Sequence, residues 1–65
     1  MQNRIRQLRE EKNMTQEQLA EVLGISVTAV SKWERNDTYP DITLLAPIAD
    51  VFGVSIDYLL RGTPQ

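Results

Sequence analysis

Two four-residue stretches set the limits on this fold: "LGIS", Leu23 to Ser26, and "FGVS", Phe52 to Ser55. In each, a glycine stands where a helix would stop, because glycine takes up left-handed backbone without a Cβ penalty. Two residues later a serine is placed to cap the amides of a new helix. The single apolar residue between them leaves no room for a loop, and helices joined this tightly cross steeply. The chain should therefore be a set of short helices folded sharply back on one another. Its 65 residues leave little to spare: such a domain buries only about 60% of its unfolded surface, so every helix must give an apolar face to one core.

Apolar positions recur at helical spacing along the whole chain, without a run of strand-like alternation. Five helices follow. The first covers roughly residues 2–12, with Ile5 and Leu8 inward and its charges outward. The second starts after Thr15, where "TQEQ" forms a capping box between Thr15 and Gln18. Met14 and Leu19 have the spacing of a hydrophobic staple across that cap, and Leu19, Ala20 and Leu23 form the inward stripe. The third is capped by Ser26 and runs to about Arg35, where Asn36 is suited to a left-handed terminal position. After the turn-rich "NDTYPD", a fourth helix opens near Asp41 with Leu45, Ile48, Ala49 and Phe52 on one face. Pro47 lies inside it and should kink it or make it restart, since the amide that would bond Thr43 is missing. Ser55 caps a fifth helix through Arg61. The expected domain is residues 1–61, with "GTPQ", 62–65, as a tail or the start of a linker.

Composition removes several function classes. Without cysteine or histidine there is no thiolate or imidazole for a zinc site and no His-based acid–base chemistry, so neither metal nor cofactor is expected. Ser31 and Lys32 are adjacent, so on a helix they point about 100° apart and cannot act as a Ser–Lys pair. The chain is not expected to be an enzyme. The polar start "MQNRIRQLRE" is unlike a signal peptide and no run of about 18 apolar residues occurs, which favours the cytoplasm. Net charge is −2, unusual for a partner of nucleic acid, but it is unevenly spread. Arg4, Arg6, Arg9 and Lys12 outweigh Glu10 and Glu11 at the N-terminal end, and the rest of the chain is acidic.

On the third helix, Val30 and Trp33 are one turn apart and should turn inward, Trp33 as core and not as a platform for bases. Val27, Thr28, Ser31 and Lys32 are then left on the outer face. Gln16 to Arg35, "QEQLAEVLGISVTAVSKWER", resembles the helix-turn-helix of Cro and lambda-repressor-type (XRE family) transcriptional regulators. The match lies in Leu19, Ala20, Leu23, Gly24, Ile25, Val30 and Trp33, and it continues through "YPDITLLAPIADVFGVSIDYLL". The resemblance implies an all-α, five-helix, lambda-repressor-like domain that binds double-stranded operator DNA, represses transcription and acts as a homodimer. It implies base reading by Val27, Thr28, Ser31 and Lys32, and phosphate binding by Gln16, Ser26, Asn36, Thr38 and Tyr39. Arg9 and Glu34 match the family's structural ion pair. The chain departs from the family in having Val27 and Thr28 where Arg or Gln is frequent, and Asn36-Asp37 in place of Gly-Lys. Fewer charge contacts imply a shallow salt dependence. From a different class, the acidic balance fits a protein-interaction module, or an antitoxin-type regulator that binds a partner protein; an additional C-terminal domain is a further expectation.

Overall fold

The structure, a computed structural model, describes residues 4–61, with Arg61 described by its backbone alone. It contains five α-helices: α1, Ile5–Glu11; α2, Gln16–Leu23; α3, Val27–Glu34; α4, Ile42–Phe52; and α5, Ile56–Arg61. The expected start of the first helix at residue 2 and the tail 62–65 lie outside the described residues.

The starts of α2 to α5 follow the capping residues in the sequence. Thr15 Oγ1 accepts from the Gln18 amide at 3.0 Å, and Gln18 Oε1 accepts from the Thr15 amide at 2.8 Å, closing the capping box. Ser26 accepts from the Ala29 amide and Ser55 from the Tyr58 amide. At α4 the Asp41 carboxylate accepts from both the amide and the hydroxyl of Thr43, which holds its pKa below the usual carboxylate value.

The helix ends share one device. At the C-terminus of each of α1 to α4, a residue with positive φ turns the chain, and two amides bond back into the last turn. The turning residues are Asn13 (φ 56°), Gly24 (71°), Asn36 (62°) and Gly53 (67°). At α1, for example, Asn13 N–H donates to Glu10 and Met14 N–H to Arg9. At α3 the Asn36 amide donates to Trp33 and the Asp37 amide to Lys32. This is the Schellman arrangement, open to Asn as well as Gly because a short polar side chain tolerates left-handed backbone. No Cβ added at Gly24 or Gly53 would meet a neighbour within 4 Å, so φ, not space, selects glycine there.

The core gathers Ile5, Leu8, Leu19, Ala20, Val30, Trp33, Ile48, Phe52 and Leu59 from all five helices. Met14, Leu23 and Ile25 pack against it half-buried, so the staple and the tight turn seal the α2–α3 corner. The Arg4 amide donates to the Leu59 carbonyl at 3.1 Å, tying the start of α1 to α5. One expectation about α4 is corrected and another is narrowed. Leu44, in line with the fully buried Ile48 four residues on, packs half-buried against the core cluster in the place expected for Leu45. Pro47 does not make the helix restart, since α4 runs unbroken through it. Pro47 and Thr43 are both exposed, so the missing bond falls on the water side, where solvent can satisfy the Thr43 carbonyl.

Candidate nucleic-acid interface

α3 is two turns long, about 12 Å by its rise per residue, and its sides are sharply divided. Val30 is 0% exposed and Trp33 4%, which anchors one side in the core. Thr28 and Lys32 are fully on the outer side, Val27 is 40% exposed, and Ser31 is half-buried at the boundary. α2 packs more extensively on α3 than any other pair of helices packs, through the Gly24–Ser26 corner. The outer side of α3 is therefore a rigid ridge with a hydroxyl, a methyl-bearing edge and a cation.

The residues expected at the phosphates flank this ridge unequally. Ser26 Oγ is occupied as an acceptor by the Ala29 amide at 3.2 Å, leaving its own hydrogen to donate outward. Asn36, Thr38 and Tyr39 are exposed on the loop beyond α3. The amides of Asp37 and Thr38, however, donate to the Lys32 carbonyl at 2.9 and 3.4 Å. Those backbone donors are used in capping α3, so an anion there would have to be held by side chains. Asp37 Oδ2 lies 3.2 Å from Arg35 Nη2.

Behind the ridge lies a partly buried polar cluster. Arg9 Nε donates to Glu34 Oε2 at 2.7 Å, Arg9 Nη2 donates to Glu34 Oε1 at 3.1 Å, and Arg9 Nη1 donates to the Met14 carbonyl at 2.7 Å. The two side chains are 12% and 4% exposed. The pair joins α1, the α1–α2 turn and α3, and the hydrogen bond to Glu34 raises the Arg9 pKa. Gln16 Nε2 also donates to Glu34 Oε1, at 3.0 Å. Sequence spacing separates Gln16 from the ion pair; the fold joins them.

Tyr58 packs half-buried on the core with Arg4 Cζ 5.7 Å from its ring centre. Among the described residues no cluster of His, Cys, Asp or Glu could hold a metal ion, and no helix is long and apolar enough to cross a membrane.

Five helices in this order, with a tight α2–α3 corner and a polar outer ridge on α3, define a helix-turn-helix domain of the lambda-repressor-like class. A family model described as helix-turn-helix (HTH_3) matches residues 5–59, and the chain belongs to that XRE-type family. It is 52% identical over 59 residues to the HTH-type transcriptional activator BcrR of Enterococcus faecalis, a match covering 91% of this chain and 29% of BcrR. Its fold superposes on the P22 c2 repressor, crystallised in complex with the synthetic operator 9T in the presence of Tl+. The TM-score is 0.87 at 37% identity, over 92% of this chain and 91% of the other. A transcriptional regulator from Listeria innocua gives a TM-score of 0.83 at 30% identity, over 100% of this chain and 64% of the other. The chain thus spans less than a third of the length of BcrR.

Proposed function

We propose that this chain is the sequence-specific, double-stranded DNA-binding domain of a transcriptional regulator and inserts α3 into the major groove. The observation that carries this reading is the division of α3: Val30 and Trp33 are fixed in the core while Thr28 and Lys32 project outward. An α-helix of two turns fits the B-DNA major groove, and the similar c2 repressor was crystallised on an operator. In this reading Val27 and the Thr28 methyl pack on thymine methyl groups. Ser31 and Lys32 address hydrogen-bonding edges, with Lys32 reaching guanine O6 and N7. Gln16, Ser26, Asn36, Thr38 and Tyr39 hold the backbone through side chains, fixing register without reading sequence.

A single reading helix flanked by few cations binds weakly, so the proposal includes a homodimer on two half-sites about 34 Å apart. Repression by occlusion of the promoter is the simplest consequence of such binding. The names of its relatives include both an activator and a repressor, and the position of the operator decides between these outcomes. The domain is residues 1–61, acting in the cytoplasm on DNA and requiring no metal or cofactor.

The test is selection from random duplexes at low salt, followed by a salt titration on the enriched sequence. An enriched half-site or palindrome is the expected result, with Lys32→Ala lowering affinity and flattening the slope of log affinity against log salt. No enrichment by the folded protein, even when artificially dimerised, would favour a protein partner.

A further inference from the structure

The outer stripe of α3 does not end at Lys32. Thr28, Ser31, Lys32 and Arg35 stand at i, i+3, i+4 and i+7, so Arg35 extends the same face by one more turn. Arg35 closes the helix in αR geometry, and Asn36 then reverses the backbone at φ 62°. That reversal brings Asp37 back over the helix end. Its amide bonds the Lys32 carbonyl, and its carboxylate meets the Arg35 guanidinium at 3.2 Å, with the two side chains 61% and 56% exposed.

Nothing in the fold calls for a negative charge there. The capping bond uses the Asp37 amide and would survive any side chain. A carboxylate at a helix C-terminus also opposes the helix dipole. Among the described residues, the guanidinium of Arg35 is the partner this carboxylate has. An exposed pair of this kind is weakly held and readily exchanged.

We infer that Arg35 is a further phosphate-binding residue of the α3 face and that Asp37 is its built-in competitor, occupying the guanidinium until a DNA phosphate displaces it. The inference rests on the DNA-binding reading above. Arg35 trades one anion for another on binding, so the contact yields little net counterion release. Affinity is lowered for all duplexes alike, because a phosphate contact carries no sequence information. Asp37 thereby keeps the domain from being held on random DNA without altering which bases α3 reads.

The test is a double-mutant cycle on the protein with Asp37→Asn and Arg35→Ala. Its probes are the duplex enriched by selection and a random-sequence duplex of equal length. Asp37→Asn should raise affinity for both by the same factor, roughly threefold to tenfold, and steepen the salt slope by up to about 0.9. In the Arg35→Ala background the same substitution should change affinity less than twofold. Equal effects of Asp37→Asn in the two backgrounds would overturn the proposal, since Asp37 would then act as a distant charge and not through Arg35. Thermal unfolding of the four proteins should agree within a few degrees, which excludes a folding effect. Binding of neither duplex by any of the four would instead remove the DNA-binding reading itself, and this inference with it.

Discussion

Gln16 Nε2 donates to Glu34 Oε1 at 3.0 Å, so the side chain proposed to grip a phosphate is tied from behind to a buried carboxylate. Glu34 in turn is fixed by two bonds from Arg9. The amide nitrogen of Gln16 keeps one hydrogen for an outside acceptor, and its direction is set by a group on α3. This couples the orientation of the α2 N-terminus to that of the recognition ridge.

Gln16→Ala should therefore act on two readouts at once. Losing a hydrogen bond to a charged group should cost about 1–2 kcal/mol of stability, and duplex affinity should fall. Gln16→Glu should be worse in both, because it sets a second carboxylate against Glu34. Urea unfolding and duplex titration check the pair; a stability loss with unchanged affinity would take Gln16 out of the phosphate contacts.

Breaking the ion pair is a larger insult. Glu34→Ala leaves the Arg9 guanidinium nearly buried without its carboxylate, a loss of about 3–5 kcal/mol. A 65-residue domain has only about 3–10 kcal/mol in total. The variant should be largely unfolded at room temperature by circular dichroism. Replacing both partners with apolar side chains, Arg9→Leu and Glu34→Met, should recover more than half of the loss, since desolvating a lone charge is what costs most. A stable Glu34→Ala protein would show that the pair is dispensable.

Pro47 is an exposed proline inside a continuous helix, and restoring its amide should help. Pro47→Ala gives the Thr43 carbonyl an intrahelical partner and should stabilise the domain by about 1–2 kcal/mol. A rise in the urea midpoint at constant slope is the expected observation. Destabilisation would mean that the ring contributes packing that its exposure does not suggest.

The Asp41 cap gives the stability a pH dependence with a definite sign. Bonds from Thr43 lower the folded-state pKa below 3.8. The contribution is fully present above the ordinary carboxylate value and is lost as pH falls through the folded one. Wild type should exceed Asp41→Asn in melting temperature at pH 6, and the difference should shrink as the pH is lowered through and below 3.8. A gap that stays constant down to pH 2.5 would assign the benefit to cap geometry alone.

Much of the fold was legible in single residues, because helix boundaries obey rules that act over about four positions. Thr15, Ser26, Asp41 and Ser55 mark the starts; Gly24, Asn36 and Gly53 mark the ends. Asn13 carries the same signal as Asn36, and its left-handed φ of 56° belongs to the same rule. The inward side of α3 and its outward complement followed from periodicity alone. What a local rule cannot supply is which neighbour a side chain meets across the core. Leu44 and Leu45 are adjacent and chemically identical; the angle at which α4 lies on the core selects Leu44. Gln16 and Glu34 are 18 positions apart and meet because α2 and α3 cross at the Gly24–Ser26 corner. Asp37 reads from sequence as an acid in place of the family's lysine, and the turn at Asn36 makes it a partner of Arg35. Sequence by itself determined where α2 to α5 begin, where α2 to α4 end and which side α3 buries, since caps and periodicity are local. Only tertiary structure decided what touches what, since that depends on helix crossing.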